Sequence, residues 1–190
     1  MPTTSPDHES DSCLRLFLIG PSGSGKRAVG ERLGRMIGYP FLDTDAEVVR
    51  KSGARDVTEV FDTRGEPFFR DLEKKLVDEI IDSNRPIVVA TGGGMPAIPH
   101  VMSLLNHHGL TIYLKAAVGT LWSRLTSDPR EIASRPLLKN QGEERLRQLV
   151  AEREPVYMEA AVTLRTDSLS VDEVCAALIG IVRRRMRHSS

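Results

Sequence analysis

A glycine-rich loop between an apolar run and a helical pattern restricts the fold of this chain more than any other feature. Its residues are Gly20, Pro21, Ser22, Gly23, Ser24, Gly25 and Lys26. The loop follows the apolar run Leu14–Ile19 and opens the segment Lys26–Ile37, whose apolar residues recur with helical spacing. A glycine loop between a strand and a helix is the setting of a Walker A motif, in which backbone N–H groups and the helix N-terminus face phosphates. The loop therefore predicts a nucleotide-phosphate site, with Lys26 supplying charge to the β- and γ-phosphates.

The residue after this lysine departs from the motif. A Ser or Thr is required there because its hydroxyl reaches Mg²⁺, but the chain has Arg27, followed by Ala28. A guanidinium cannot ligate a cation, although it can contact a phosphate or pair with a carboxylate. The substitution puts the magnesium chemistry in question and leaves the nucleotide site intact.

Charge and cysteine content exclude several classes of protein. The 190 residues include 26 basic and 26 acidic ones, so the whole chain is not attracted to nucleic acid or to an anionic membrane. Cys13 and Cys175 indicate two reduced, packed thiols. Apolar runs such as Ile87–Ala90 are too short to span a membrane, and residues 1–12 lack the basic end and apolar stretch of a signal peptide. We expect a cytoplasmic protein without nucleic-acid or membrane partners, in which residues 1–12 form a disordered tail.

Strand patterns alternate with helical patterns along the chain. The predicted strands are Leu14–Ile19, Tyr39–Leu42, Ile87–Thr91, Leu110–Leu114 and Val162–Arg165. The predicted helices are Lys26–Ile37, a short one from Asp56 to Gly65, a longer one from Pro67, Ile98–Asn106, Val118–Thr126, Glu143–Ala161 and Val171–Arg187. This alternation favours an α/β fold in three layers, with a five-stranded, mainly parallel sheet between helices, in one domain over residues 13–187. Ligands of such sheets bind at the carboxyl ends of the strands.

Three further groups of residues fall where strands meet helices. Asp43 and Asp45 follow the second strand, and as alternate residues of an extended chain they would project to the same side, one toward Mg²⁺ and one toward an attacking hydroxyl. A helix N-cap is the competing interpretation. Arg70 and Glu73 share a helix face, so Arg70 could clamp a carboxylate while Glu73 holds it, or the two could form an ordinary surface ion pair.

The third group is the run Gly92, Gly93 and Gly94, which follows the central apolar strand. A tight turn between a strand and a helix needs one or two glycines, so three indicate close approach of the backbone to a ligand. A small substrate is therefore expected at this edge of the sheet.

These motifs, taken together, resemble those of the shikimate kinase family. The resemblance is carried by the Walker loop, Asp43-Thr44-Asp45, Phe69-Arg70 with Glu73, the three glycines, Arg135-Pro136-Leu137-Leu138, and Arg153 with Pro155 and Tyr157. It covers about residues 14 to 185. It implies a P-loop kinase fold and transfer of the ATP γ-phosphoryl group to the 3-hydroxyl of shikimate, a step toward chorismate and the aromatic amino acids. ATP and Mg²⁺ are the implied cofactors, and a monomer is expected.

The resemblance also implies roles for individual residues. Shikimate would be bound by Asp45, Arg70, Gly92, Gly93, Gly94 and Arg153, with Asp45 as the base. Asp43 would lie near Mg²⁺, and Arg124 would stack on adenine beside the loop Thr166-Asp167-Ser168. The polar segment at about residues 127–138 resembles the kinase lid, in which Arg135 would deliver charge to the transition state, with Arg130 as a second candidate.

Two other functions fit part of the sequence. Arg27 is compatible with a non-catalytic nucleotide- or shikimate-binding homologue that has lost efficient use of Mg²⁺. A kinase of another small molecule, such as gluconate, shares the phosphate loop but is not expected to carry Asp45, Arg70 and Arg153 together.

Overall fold

A computed structural model describes residues 14–127, 132, 136–138 and 142–187 of the chain. The expected tail at residues 1–12, Cys13, and the lid arginines Arg130 and Arg135 lie outside the described residues. Cys175 is buried and carries a free thiol, as expected.

Five parallel strands form a sheet. They are β1 (Arg15–Ile19), β2 (Phe41–Asp43), β3 (Ile87–Ala90), β4 (Leu110–Lys115) and β5 (Val162–Arg165). Their order across the sheet is β2-β3-β1-β4-β5, so β1, which leads into the glycine loop, is central. All four pairings are parallel, as the alternation of patterns predicted.

The helices within the described ranges cover both faces of the sheet. They are α1 (Lys26–Ile37), α2 (Thr44–Ser52), α3 (Val57–Asp82), α4 (Val101–His108), α5 (Val118–Thr126), α6 (Gly142–Tyr157) and α7 (Val171–Arg187). Short 3₁₀ helices occupy Met95–Ala97 and Pro136–Leu138. None of the helices in these ranges is long and apolar enough to cross a membrane.

Alternating side chains of the central strand serve two cores. Leu16 and Leu18 are fully buried against α1 and α7 on one face, whereas Phe17 and Ile19 are fully buried against α3 and α4 on the other. A third apolar cluster joins α5 to α6. These layers hold the carboxyl ends of β1, β2 and β3 together at one edge, where the glycine loop, Asp43 and the three glycines begin.

Three helices differ from the sequence prediction. The helix predicted for Glu143–Ala161 ends at Tyr157. The helix expected at Ile98–Asn106 starts at Val101, because Pro99 forces Ile98 into an extended conformation (φ −68°, ψ 132°). Helix α2 was predicted only as the possibility that Asp43 is an N-cap. In α3 the expected break is present, since Gly65 has non-helical angles (φ 82°, ψ 164°), and Asp56 caps the first segment.

Candidate active site

The glycine loop has the curled backbone that a phosphate cradle requires. Gly20, Gly23 and Gly25 have φ angles of 141°, 82° and 88°, which L-residues with side chains rarely adopt. A Cβ on Gly23 would also lie 2.5 Å from the carbonyl oxygen of Leu121. No side chain caps α1, so its first N–H groups are left to bind a ligand.

The two cations at the start of α1 make different contacts. Lys26 Nζ donates to the carbonyl oxygens of Gly20 at 2.7 Å and Pro21 at 2.9 Å, which places the ammonium within the curl of the loop. Of the two contacts expected for Arg27, the structure shows the ion pair: Nε lies 3.3 Å from Oε1 of Glu31, one turn along the helix. The side chain of Arg27 is 67% exposed.

A cavity of about 550 Å³ extends from the loop along α1. This volume lies within the range of about 300–1,000 Å³ that is usual for small-molecule sites. Arg124 in α5 also lines this cavity, and its Nη1 donates to Thr166 Oγ1 at 3.2 Å and its Nη2 to the Thr166 carbonyl at 2.5 Å. The structure therefore brings together Arg124 and Thr166, two of the residues for which the family resemblance implies contact with adenine.

The rest of that wall was only partly predicted. Asp167 accepts hydrogen bonds from the Ala117 N–H (2.7 Å) and from Thr120 Oγ1 (3.1 Å), and these bonds lower the pKa of Asp167 and turn its carboxylate toward α5. Apolar residues further along the chain, among them Leu169 and Val174, line the cavity instead. Sequence analysis missed them because they read as the start of an ordinary amphipathic helix.

Asp43 and Asp45 do not lie on one extended segment, contrary to the sequence prediction. Asp43 is the last residue of β2, and the chain then turns into α2, whose N-cap is Asp43: its Oδ1 accepts from the Ala46 N–H at 3.2 Å. The helical turn nevertheless keeps both carboxylates at the edge of the sheet, and both line the larger cavity. Asp45 also lines a second, smaller cavity, so it stands between the two.

The three glycines pass close to charged side chains. A Cβ on Gly92 would collide with Asp45 Oδ1 and would lie 2.6 Å from Glu73 Oε1. A Cβ on Gly94 would lie 2.5 Å from Nη2 of Arg70. Glycine is therefore needed here for close approach to these side chains, as the sequence predicted.

Thr44, between the two aspartates, was not predicted as a site residue. Its hydroxyl accepts from the Gly92 N–H at 2.8 Å, and its side chain is fully buried. This bond ties the start of α2 to the glycine turn after β3 and so fixes Asp45 relative to the turn. The sequence signal that could have identified Thr44 is its position as a hydroxyl residue between two predicted site carboxylates.

Arg70 lies between two carboxylates of its own helix. Nη1 is 2.5 Å from Oε2 of Glu73, while Nε and Nη2 donate to Oε1 of Glu66 at 3.1 and 2.8 Å. Glu73 is fully buried, whereas Glu66 is 46% exposed. The pair between Arg70 and Glu73 is therefore not the ordinary surface ion pair that the sequence left open, because Glu73 is buried. Glu73 holds the Arg70 guanidinium in place from the protein interior.

The surroundings of Glu73 disfavour the charged form of its carboxylate. Its pKa is raised to about 7, chiefly by burial and also by Asp45, against the opposing effect of Arg70 and Arg153. Oε1 of Glu73 has no hydrogen-bond partner among the described residues. Two carboxylates and two arginines therefore share one small, partly desolvated region.

The smaller cavity, of about 60 Å³, combines these charges with apolar walls. Arg70, Arg153, Gly93 and Gly94 line it together with Asp45. Its apolar walls, which sequence analysis did not identify, are Val57, Phe61, Phe69, Leu137, Leu138 and Leu149. The hydroxyl of Tyr157, one turn after Arg153 in α6, donates to the Gly93 carbonyl at 2.5 Å and connects that helix to the glycine turn.

Among the described residues, the structure thus brings the predicted donor and acceptor residues to one edge of the sheet, on either side of Asp45. Arg135, predicted in the lid, lies outside the described residues, although Leu137 and Leu138 of the same motif line the smaller cavity. A phosphate loop facing an anion-binding pocket across one carboxylate is the arrangement of a P-loop kinase that phosphorylates a small molecule.

Comparisons with known proteins give the family. The family model described as shikimate kinase matches residues 22–183. Shikimate kinase 1 of Erwinia tasmaniensis is 37% identical over 172 residues, covering 89% of this chain and 96% of that protein. Shikimate kinase of Psychromonas ingrahamii is 38% identical over 169 residues, covering 88% and 95%. The chain belongs to the shikimate kinase family and is an ATP-dependent kinase.

Solved structures agree with this assignment. A shikimate kinase from Acinetobacter baumannii in complex with shikimate superposes with a TM-score of 0.84 at 30% identity, covering 93% of this chain and 96% of that one. A deoxyadenosine kinase from M. mycoides, at 13% identity and a TM-score of 0.61, shares the fold alone.

Proposed function

We propose that this protein transfers the γ-phosphoryl group of ATP to the 3-hydroxyl of shikimate, giving shikimate 3-phosphate and ADP. The observation that carries this proposal is the position of Asp45, which lines both the nucleotide cavity and the small arginine-lined cavity. A group that takes a proton from the attacking hydroxyl must contact the acceptor while facing the donor phosphate. A protein that only binds a nucleotide is not favoured, because nucleotide binding does not require Asp45, Arg70 and Arg153 to line a second cavity together.

The donor half binds and orients the triphosphate. The N–H groups of the loop and of the first turn of α1 would contact the phosphate oxygens, while Lys26 would exchange its bonds to Gly20 and Pro21 for the β- and γ-phosphates. Arg124 and Thr166, which line the same cavity, would flank the adenine. This placement directs the γ-phosphate toward Asp45.

The acceptor half recognises a small hydroxylated carboxylate. Arg70 and Arg153 line the cavity and would bind the carboxylate of shikimate through charge-assisted hydrogen bonds. Glycines 92–94 allow the ring to approach the backbone. Asp45 would accept the proton of the 3-hydroxyl as its oxygen bonds to the γ-phosphorus and the bond to the β,γ-bridging oxygen breaks.

The residues at the cavity fit a magnesium ion that arrives with the nucleotide. Mg²⁺ commonly binds through one or two carboxylates plus phosphate oxygens and water, and Asp43 and Asp45 supply two carboxylates to this cavity. Among the described residues, no group of three or more His, Cys, Asp or Glu side chains could hold a metal by itself. When bound, the ion would neutralise charge on the β- and γ-phosphates. Asp43 would hold it through the oxygen that is not engaged with Ala46.

The acceptor cavity must widen before shikimate can enter. Its volume of about 60 Å³ is well below the ~300 Å³ at which small-molecule sites usually begin. Leu137 and Leu138, which form one wall, belong to the segment proposed to be the lid. We propose that this segment moves during binding and brings Arg135 to the transferring phosphoryl group. Closure would exclude water, which otherwise accepts the phosphoryl group.

The proposal extends to the number of domains, the oligomeric state and the location of the protein. The family model and the curated relatives match the chain without a second unit, which supports one kinase domain over about residues 13–187. We propose that this domain acts as a monomer in the cytoplasm. Elution of the purified protein as a dimer on gel filtration with light scattering would contradict the first part.

Release of ADP tests the proposed reaction. Purified protein with ATP and Mg²⁺ should release ADP rapidly when shikimate is added and slowly without it. Asp45→Asn, which keeps the shape of the side chain but cannot accept the proton, should lower kcat by ~10²-fold or more, in line with general-base catalysis. Turnover of the wild-type protein that does not depend on shikimate would sink the proposal.

A further inference from the structure

Arg27 lines the nucleotide cavity at the position where the Walker motif places a metal-binding hydroxyl. It is the second residue of α1, directly after Lys26. Its side chain therefore starts beside the region where the β- and γ-phosphates would lie. A long cation at this position changes what the loop can do for a polyanion, because a guanidinium binds phosphate oxygens directly, whereas a serine hydroxyl acts through Mg²⁺.

The ion pair that Arg27 makes in the structure is weak enough to exchange. Its Nε is 3.3 Å from Glu31 Oε1, longer than the roughly 2.7–2.9 Å of a good charge-assisted hydrogen bond. The two side chains are 67% and 40% exposed, and exposed pairs of this kind contribute little. Glu31 therefore keeps the guanidinium at the wall of the cavity through a contact that is weak enough to be exchanged for another anion.

Arg27 changes the balance of charge in the nucleotide cavity. Among the described residues, its charged lining consists of the cations Lys26, Arg27 and Arg124 and the carboxylates Glu31, Asp43 and Asp45. Without Arg27 the carboxylates would outnumber the cations in a cavity that must accept a triphosphate. In addition, the first turn of α1 contains no acidic residue that could neutralise Arg27 from within the turn.

We propose that Arg27 binds the triphosphate directly and thereby lowers the dependence of nucleotide binding on Mg²⁺. This inference rests on the proposed kinase function and concerns the nucleotide half of the same site. Arg27 exchanges Glu31 for phosphate oxygens when ATP binds, and it supplies part of the charge that the metal supplies where the loop carries a hydroxyl residue. In this arrangement Asp43 keeps its proposed role toward the metal, and Asp45 keeps its proposed role as the base.

Calorimetric titration with ATP, once in EDTA and once in saturating Mg²⁺, tests the proposal. The informative quantity is the ratio of the Kd without metal to the Kd with metal. In Arg27→Ser, loss of a charge-assisted contact should weaken metal-free binding ~10-fold and leave binding with Mg²⁺ within about threefold of wild type. The ratio should therefore rise about tenfold. Glu31→Gln should act in the opposite direction and tighten metal-free binding, because it releases Arg27.

Arg35→Ser is the matched control. Arg35 is an exposed residue in the last turn of the same helix and does not line the cavity, so this change removes the same charge and should leave the ratio as in wild type. Arg27→Lys, which keeps the charge and loses the fork, should give an intermediate ratio.

A ratio for Arg27→Ser within twofold of wild type would overturn the role of Arg27. Shikimate-dependent ADP release by the wild-type protein, measured on the same preparation, would leave the kinase proposal standing in that case. Failure of the wild-type protein to bind ATP under either condition would overturn both.

Discussion

The two halves of the site are built in different ways. The nucleotide cavity, about 550 Å³, is shaped by a curled backbone and edged with cations such as Arg27, whose side chain is two-thirds exposed. The acceptor cavity, about 60 Å³, depends on a fully buried carboxylate, Glu73, and on Arg70, whose side chain is 19% exposed. Backbone donors tolerate a change of side chain, whereas buried charges depend on their partners. The difference explains why the phosphate loop can carry an arginine at its metal position while the acceptor residues keep the pattern of the family.

This comparison predicts that a single substitution costs more in the acceptor half than in the donor half. The largest effect is expected for Arg70→Ala, which removes the proposed clamp for the shikimate carboxylate and leaves Glu73 buried without its partner. Truncating one member of a buried charge pair typically costs about 2–5 kcal/mol, so kcat/KM for shikimate should fall by roughly 30- to 4,000-fold. The KM for ATP should change by less than about twofold, since Arg70 does not line the nucleotide cavity.

Arg64→Ala is the control for this prediction. Arg64 lies on the same helix, is exposed, and has its Cζ 5.0 Å from the centre of the Phe68 ring. Steady-state kinetics with each substrate varied in turn should show wild-type kcat/KM for this variant. Equal losses in Arg64→Ala and Arg70→Ala would contradict a specific role for Arg70.

The next effect concerns stability and pH. The pKa of Glu73 is raised from its ordinary value of 4.5 to about 7, mainly by burial, so between these values the folded protein binds a proton that the unfolded chain has released. The contribution of Glu73 is therefore fully present below about pH 4.5 and is lost as pH rises toward 7. At about 1.36 kcal/mol per pKa unit, the free energy of unfolding should fall by roughly 3 kcal/mol across this window.

Urea denaturation between pH 4.5 and 8 isolates this contribution. Glu73→Gln removes the titrating group, so the stability of wild type relative to Glu73→Gln should decline with rising pH and level off above about 7.5. Glu79→Gln removes a carboxylate at a more exposed position of the same helix and is the control. A difference between wild type and Glu73→Gln that stays flat across the range would show that Glu73 titrates normally.

A smaller effect is expected from crowding the glycine turn. Gly92→Ala would place a Cβ against Asp45 and 2.6 Å from Glu73 Oε1, so both carboxylates must shift. Overpacking of this kind costs about 1–3 kcal/mol, which corresponds to a loss of roughly 5- to 140-fold when it is expressed as a change in kcat/KM. Gly180→Ala, where a Cβ meets nothing within 4 Å, should leave the kinetics unchanged. Kinetics of Gly92→Ala equal to those of Gly180→Ala would contradict the close approach.

The difference between the donor half and the acceptor half also determines how much of each could be predicted from the sequence. The phosphate loop is local in sequence, because loop, lysine and helix follow one another, so the motif alone predicts its geometry, whereas the wall of the donor cavity at Leu169 and Val174 was not predicted. The acceptor half joins residues far apart in the chain, so the motifs identified Asp45, Arg70 and Arg153 but not their contacts. The bond between Thr44 and the Gly92 N–H and the wall formed by Phe61 depend on how β2, β3 and α3 pack.

Local rules also failed where two patterns overlapped. Asp43 fits both the end of a strand and the cap of a helix, and the structure uses it as both, which moves Asp45 from an extended segment to the first turn of α2. Pro99 delayed a helix whose apolar spacing began earlier. In each case a backbone constraint at one residue decides where the helix begins.

The smallest effect is expected in the donor half, from Arg124→Ala. Arg124 holds the Thr166 loop through two hydrogen bonds at the edge of the nucleotide cavity, while the triphosphate would be bound elsewhere, by the loop and Lys26. Loss of a cation stacked on a partly exposed ring costs about 1 kcal/mol, so the KM for ATP should rise ~3–10-fold while the KM for shikimate is unchanged. Arg165→Ala, which removes an exposed arginine next to Thr166, is the control. A rise in the KM for shikimate as well would mean that the two halves are coupled through α5, and the separation of a tolerant donor half from a sensitive acceptor half would then have to be given up.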